Sequence, residues 1–460
     1  MTHTDTGLAI APMVPNTIPS APALLLTHQP LPETADVVIV GSGIMGCATA
    51  YYLAKHGIKA VVIDKSRIAG QQSTRAWGFV RQQARAPEEV PLMMASNRLW
   101  QGLEADLQAD LEWRQGGCLF TASHAEEMAT YEDWMSIAKT HQLDTRLLTP
   151  QEIRQQLPDL TDRPLGALYT ASDGQAEPRK VAPAFARRAT ELGARFFEGC
   201  GLTGLELADG KVVGVQTEMG SIRTRQVVCA AGVASWRILK SVGIDLPQHL
   251  VRGTVARTSP GPQLSAVSYL GNGIGWRQRT NGSFNLADDA QVDVDITLGH
   301  LRGLEWYLGP LMTHHKSFRF NVNRMTLDDL RQRLPGSEAR HNGPLVHVRD
   351  LALLANEGKA RGALRALHQS FPSQKQVQIV DKWAGGIDVL PDGIPVIDAL
   401  TQPDGLLVAT GFCGHGFAMG PIVGKVMADW ISKGEPGFDL HGLRLARFPE
   451  KDVKPPYSLF

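Results

Sequence analysis

Residues 37 to 65 read VVIVGSGIMGCATAYYLAKHGIKAVVIDK, which is an apolar run, a glycine turn, apolar residues at helical spacing and a second apolar run. Four apolar residues bounded by Asp36 predict a buried strand at Val37–Val40. Cys47–Lys55 predicts a helix, and Ala60–Ile63 a second strand ending at Asp64. The order is strand, tight turn, helix, strand.

Further along, Pro91–Leu107 has helical spacing and Gly117–Thr121 suits a short strand. Thr149, Pro150 and Glu152 make a capping-box start with proline at the first helical position, and the helix should stop before Pro158. Pro178 leads to a helix over Lys180–Leu192 closed by Gly193, with strand material in Ala194–Glu198. Leu202–Leu207 and Lys211–Thr217, separated by ADG, predict a hairpin, and Arg225–Ala231 a strand running into Gly232. From about Gln248 to Gln378 strand-like pieces dominate, with a helix-like stretch at Met325–Leu334. The first style then returns, with a buried strand at Gly405–Thr410, the glycine-rich turn GFCGHGFAMG and a helix over Pro421–Ile431.

Dinucleotide-style strands and glycine turns thus stand near the beginning, middle and end. One nucleotide domain is expected to be assembled from segments 35–90, 150–247 and 379–440, with a sheet-rich α+β substrate domain from 91–149 and 248–378 inserted between them. Residues 1–34, with six prolines and no clear period, read as a flexible or surface-draped arm, and 441–460 as a tail. No secretory signal core is recognised in the arm.

A chain of 460 residues exceeds one ordinary core, which agrees with two domains. Its 46 basic and 46 acidic residues balance, which argues against nucleic acid or an anionic membrane as the main partner. Five cysteines without metal-ligand spacing suggest neither a disulfide framework nor a metal site, and fit a reducing, cytoplasmic setting. The glycine-rich apolar region Leu406–Trp430 is broken by His415 and Lys425, so no bilayer span is expected.

Gly41, Gly43 and Gly46 have GxGxxG spacing. In such a unit one glycine makes the sharp turn, one lets backbone approach a pyrophosphate, and one permits close packing of helix on strand. Helix-start amides, here at Ile44 and Met45, then face the phosphates. Asp64 stands where a carboxylate accepts from a ribose hydroxyl, and it disfavours a 2'-phosphate. The following loop, IAGQQSTRAWGFVRQQAR, holds arginines and aromatic residues in a number unusual for mere connection.

Taken together, GSGIMG with Asp64, the STRAWGFVRQQ loop, VVCAAGVAS and GLLVATGFCGHGFAMGP resemble the D-amino-acid oxidase family of flavoproteins, which includes glycine oxidase and sarcosine oxidase. The resemblance implies an α/β fold: a discontinuous Rossmann-like, glutathione-reductase-like FAD-binding domain carrying the inserted substrate domain. It places FAD with its pyrophosphate at Gly41, Gly43 and Gly46, its adenosine ribose at Asp64 beside Lys65, and Ser73, Thr74 and Arg75 along pyrophosphate and flavin. Ala231 and Gly232 close over the dinucleotide, although the residues alone also suit a plain strand-end turn. The turn Gly414, His415, Gly416 faces the flavin N1 and C2 region, where a helix start would stabilise negative charge.

Two departures matter. Ala418 stands where sarcosine oxidases carry a lysine, and DKWAGGIDVLPDG offers no counterpart of their flavin-tethering cysteine, so FAD is expected to be non-covalent. The region Trp276–Asp289 shows no counterpart of their oxygen-activating lysine, offering Arg277, Arg279 and Asn285 instead, which leaves oxygen or another electron acceptor open.

The implied chemistry is oxidative deamination or N-dealkylation of an amino acid or secondary amine: a D-amino acid, an N-methyl amino acid or an opine-like compound. A hydride passes to flavin N5 and water hydrolyses the imine. A guanidinium suits the carboxylate clamp this needs. Arg81 is the leading candidate, with Arg277 and Trp276 as second-domain candidates and His415 close to flavin and substrate. Asp388, near Trp383, could pair a cationic substrate group or be a solvated loop acid. Two alternatives remain. One is the flavin subunit of a heteromeric amine dehydrogenase handing electrons to a protein or quinone, so a partner subunit or homo-oligomer is compatible with the chain. The other is a non-catalytic FAD-binding assembly protein.

Overall fold

The computed structural model describes residues 29–288, 291–301, 303–314, 318–332, 334, 345–346 and 348–457. Most of the expected arm, residues 1–28, lies outside them. Residues 29–34 lie along the sheet edge, where Arg223 N donates to the Glu33 carbonyl at 2.9 Å and Leu31 packs on the core.

The first strand, Val37–Val40, is the hub of a nine-stranded sheet, paired in parallel with Ala60–Ile63 on one side and Val227–Cys229 on the other. Arg195–Phe197 extends it beyond Ala60–Ile63, and Asp404–Thr410 lies parallel to Val227–Cys229. Its residues are all buried because both faces are covered: Val37 and Ile39 point into a helical layer, Val38 and Val40 into the opposite core. Pieces of the beginning, middle and end of the chain therefore meet in one sheet, as the strand pattern predicts.

The helices Ile44–Lys55, Pro178–Glu191 and Gly416–Lys433 share the covering layer. The last of these lies directly on the first: a Cβ added at Gly424 would stand 2.4 Å from that of Ala48. This close approach brings the late glycine turn beside the early one. Gly416–Lys433 begins five residues before the expected Pro421, since a proline in the second turn forfeits only the bond to the Phe417 carbonyl.

A second sheet, of ten strands among the described residues, carries His249–Thr258, Ser268–Gly271, Ile274–Gln278 and Phe284–Asp288. Its membership differs from the expected partition in two places. Gly166–Thr170 pairs antiparallel with Cys118–Ala122 and Thr145–Leu148, and Ile379–Val389 pairs along His249–Thr258, so both belong to this sheet and not to the nucleotide-binding one. Conversely, the helix Val90–Leu107 packs with the first sheet's helices, its Ser96 Oγ and Trp100 Nε1 donating to the Ala418 carbonyl at 2.6 and 2.9 Å.

The capping box at Thr149 is present, with Glu152 N donating to Thr149 Oγ1, and its helix Pro150–Gln156 stops before Pro158. The helix-like stretch at Met325–Leu334 is the helix Arg324–Gln332. In the tail, Arg447 is buried and binds Asp392 through two nitrogens. No helix among the described residues is long and apolar enough to cross a membrane.

Candidate active site

A cavity of about 370 Å³ runs from the early glycine turn to the late one, along the seam between the two sheets. Gly41 is held at φ 106° with its Cα against the Ala230 carbonyl, where a Cβ would come to 2.4 Å. Gly46 lies behind the turn and not on the cavity: its Cβ would meet the Gly41 carbonyl at 1.9 Å, the close helix packing expected of the third glycine. Gly43, Ile44 and Met45 line the cavity, and Ile44 N donates to Ser73 Oγ at 2.8 Å.

Asp64 ends the second strand as expected. Its Oδ2 accepts from Ser42 N and Oγ, both at 2.7 Å, and its Oδ1 from Ser66 N at 2.8 Å. A carboxylate offers about four lone-pair sites, so one remains for a ligand hydroxyl. Lys65 lines the same end, its ammonium pushed down to about 8 by burial and then by the Arg237 charge. Ser73 and Arg75 line the middle, where Arg75 Nη1 donates to the Ala384 carbonyl at 3.0 Å. Thr74 turns away, its hydroxyl bound to the Ala69 carbonyl. Ala231 and Gly232 form part of the wall.

These residues fit an extended dinucleotide. A Cβ on Gly43 would approach only Ser73 Oγ, at 3.1 Å, and one on Gly414 only Ile387, at 3.8 Å. The space before both glycines is therefore cavity, Gly43 beside Ser73 and Gly414 at the late turn. FAD would run past both with its ribose at Asp64.

At the far end stand Gly414, His415 and Gly416, with Arg81, Arg85, Trp77, Phe79, Phe120 and Leu270. His415 is buried as the residue just before the helix Gly416–Lys433, and its Nδ1 lies 2.8 Å from Glu89 Oε1. Burial, then the Arg85 charge, push the imidazole down to about 4 against the pull of Glu89. Burial raises the Glu89 carboxyl, but His415 and Arg85 outweigh it and hold it below its usual range. The neutral ring therefore donates Nδ1–H to Glu89. Nε2 is buried with no hydrogen-bond partner, on a residue that lines the cavity.

Arg81 also reaches this end, with its guanidinium 5.2 Å from the Phe120 ring centroid. Neither Arg277 nor Trp276 reaches the cavity. Trp276 points into the core of the second sheet, stacked 5.3 Å from Tyr269. Arg277 points to the other face but is pinned there, with Nη2 2.7 Å from Glu177 Oε2 and Nε 2.6 Å from the Trp77 carbonyl. Both assignments to a substrate clamp are corrected: one side chain is core and the other is neutralised by a buried carboxylate. Arg279 pairs with Glu112, and Asn285 donates to the Trp77 carbonyl.

Asp388 faces the cavity but is satisfied from within, by Gln72 Nε2, Gln248 Nε2 and Gly411 N at 2.9 to 3.1 Å. It ties the two sheets together. Trp383 donates to the Arg75 carbonyl, with Arg179 4.3 Å above its ring.

Glu89 and Arg85 were not singled out by sequence. The available signal was weak: Arg85 follows Arg81 by one helical turn's worth of residues, and Glu89 precedes an apolar-periodic helix where acids are ordinary. No group of three or more metal-binding side chains is found among the described residues.

Several known proteins are similar to this chain in sequence or in fold. Human mitochondrial sarcosine dehydrogenase is 26% identical over 435 residues, which take in 91% of this chain but only 42% of that protein, so the chain spans less than half the length of that relative. Sarcosine oxidase subunit beta of Rhizobium meliloti is 27% identical, with 92% of this chain and 90% of that one covered. The L-amino acid deaminase of Proteus myxofaciens superposes with a TM-score of 0.84 at 26% identity, covering 91% of this chain and 95% of that one. Glycine oxidase of Geobacillus kaustophilus shares the fold, with a TM-score of 0.73 at 21% identity over 90% of this chain and 99% of that one. A profile described as DAO, FAD dependent oxidoreductase, matches residues 36–430, and the chain belongs to that family.

Proposed function

We propose that the chain oxidises the carbon–nitrogen bond of an amino acid or N-alkyl amino acid in an FAD-dependent reaction. The observation that carries this reading is one continuous cavity joining the Gly41–Gly43 cradle and Asp64 to a buried end with two arginines and a histidine lone pair. FAD, when bound, supplies the hydride acceptor. The arginine end orients a substrate carboxylate. His415 Nε2 accepts a hydrogen bond from the substrate amine, and Glu89 keeps the opposite ring nitrogen protonated. A ring held neutral at about 4 cannot donate to the amine at neutral pH, so only the neutral or donating amine is accommodated. Trp77, Phe79, Phe120 and Leu270 exclude water from the reacting carbon.

Substrates named for the relatives, sarcosine and L-amino acids, belong to this class. FAD is held without a covalent link on this reading: Cys413, the one cysteine along the cavity among the described residues, has its thiol bound to the Gly411 carbonyl. Burial keeps that thiol protonated. Five buried, unlinked cysteines suit the cytoplasm.

The test is anaerobic mixing of the yellow protein with a panel of D- and L-amino acids and N-alkyl amino acids. Loss of flavin absorbance with at least one amine is expected. A colour that no amine bleaches would leave a non-catalytic FAD-binding protein. A second reading, a subunit that passes electrons to a partner, is favoured by the near full-length match to sarcosine oxidase subunit beta. Stoichiometric peroxide on admitting air separates an oxidase from that reading, which expects turnover only with an artificial dye.

A further inference from the structure

Residues 348–354 form neither helix nor strand and tie the two sheets together beside the cavity. One end is held by the second sheet. Arg252 Nη1 donates to the Leu354 carbonyl at 2.6 Å, and a Cβ on Gly386 would stand 3.3 Å from the Leu353 side chain. The other end reaches loops of the first sheet. Asp350 Oδ1 accepts from Ser66 Oγ and Gln71 Nε2, both at 2.5 Å, and Leu351 N donates to Gln71 Oε1 at 3.3 Å. Arg349 Nη1 donates to the Lys65 carbonyl at 2.8 Å and to Glu218 Oε2 at 3.1 Å, and its Nη2 binds Glu218 Oε1.

These bonds fall at the adenosine end of the cavity, where Arg349 is part of the lining with Asp64, Lys65 and Arg67. Gln71 belongs to the loop that also carries Gln72, which accepts from Val233 N at 2.9 Å, and Ser73, which accepts from Ile44 N. The loop beside the early glycine turn is thus gripped by the first sheet on one side and by residues 348–354 on the other.

The two grips differ in firmness. Behind the cavity, the strands Val37–Val40, Ala60–Ile63 and Val227–Cys229 are buried throughout. In front of it, Leu345, Val346 and Leu353 are buried anchors, but between them Arg349, Asp350 and Ala352 are exposed, the Arg349 side chain by 47%. Exposed ion pairs are individually weak, and segments with few buried contacts open at small cost. The middle of a segment anchored at both ends lifts once its polar bonds break, and it lies over the part of the cavity that an adenosine has to reach.

We propose that residues 348–352 are a strap over the adenosine end of the FAD site, latched by Arg349 and Asp350, and that FAD enters and leaves when the latch opens. The inference rests on FAD lying in the cavity and not on amine oxidation, so a protein that no amine bleaches can still bear it out. A latch differs from an ordinary contact. Losing a contact speeds release and weakens affinity in the same measure, whereas losing a latch lowers one barrier that is crossed in both directions, so affinity moves less than the rate.

Dilution of the yellow protein to nanomolar concentration reads both quantities when free and bound FAD are separated by filtration at successive times. The rate of loss reports release, and the final bound fraction reports affinity. The double variant Arg349→Gln, Asp350→Ala should release FAD about tenfold faster, because charge-assisted bonds are lost at both residues, with affinity within about threefold of the parent. Each single variant should fall between. Arg361→Gln, which breaks an exposed pair with Glu357 outside the strap, should match the parent.

Release of FAD from the double variant at the parent rate overturns the proposal. So does faster release with affinity lost in full proportion, which makes Arg349 and Asp350 ordinary contacts. If the double variant fails to fold, Asp350→Asn, which keeps the size and one acceptor, decides by the same two readings. Half-saturation for any amine that bleaches the flavin should be unchanged in the loaded variant, and a shift there with unaltered release would place these residues at the substrate and end the assignment.

Discussion

Glu89 Oε1 lies 2.8 Å from His415 Nδ1, and each residue is the cap of a helix, Glu89 before Val90–Leu107 and His415 before Gly416–Lys433. Two helix starts therefore converge on one buried carboxylate, which His415 and then Arg85 keep ionised against burial. An ionised Glu89 fixes the imidazole with its proton on the Glu89 side. Glu89→Gln can still accept that proton through its amide oxygen but no longer enforces the tautomer. Flavin bleaching by a reactive amine should slow about tenfold, with half-saturation changed less than about twofold. Anaerobic stopped-flow traces give both numbers, and an unchanged rate would reduce Glu89 to a packing residue.

The same histidine makes the fold sensitive to acid. In the folded chain its imidazole is held down at about 4, mainly by burial, whereas an unfolded histidine takes its proton near 6.5. The neutral ring's contribution to stability is thus complete above about pH 6.5 and is lost as pH falls toward about 4, where the unfolded chain binds the extra proton first. The Tm should drop from about pH 7 to about pH 5, and His415→Asn should flatten part of that drop. An identical slope in the variant would show that His415 is not the titrating group.

Sequence reasoning reached as far as local pattern reaches. The strand, glycine turn, helix and Asp64 are contiguous, so spacing alone locates them, and Thr149 with Glu152 specifies its own helix start. The Glu89–His415 contact joins residues 326 positions apart, and nothing local reports it. The strand Ile274–Gln278 is buried on both faces, so alternation could not tell that Trp276 enters the core while Arg277 meets Glu177. Gly166–Thr170 falls within the segment 150–247 expected in the nucleotide domain, and only its partners Cys118–Ala122 and Thr145–Leu148, distant in sequence, decide its sheet.

The two glycines of the early turn should fail differently. Gly41 has φ 106° and would drive a Cβ to 2.4 Å from the Ala230 carbonyl, a backbone clash with no side chain to move aside. Gly43 has an ordinary φ of −69°, and its Cβ would meet only the Ser73 hydroxyl, at 3.1 Å. Gly41→Ala should therefore lower the Tm and yield colourless protein. Gly43→Ala should fold but release FAD more readily, because its methyl stands in cofactor space. Flavin-to-protein absorbance ratios and thermal melts separate the two, and a stable, fully yellow Gly41→Ala would contradict the packing at Ala230.

Arg277 supplies the reverse control, a buried arginine that should matter to stability and not to substrate. Its guanidinium donates to Glu177 at 2.7 Å and to the Trp77 carbonyl at 2.6 Å, and it is 1% exposed. Replacing it with methionine preserves length and volume but leaves the Trp77 carbonyl with only the longer bond from Asn285, at 3.3 Å, and Glu177 with Arg279 as its remaining salt-bridge partner, 3.0 Å away. Breaking one side of a buried pair costs about 3 kcal/mol, and Arg279 offsets part of it. The expected outcome is a markedly lower Tm with half-saturation unchanged at temperatures where the variant is folded. A raised half-saturation in the methionine variant at unaltered Tm would mean that Arg277 turns to the substrate after all.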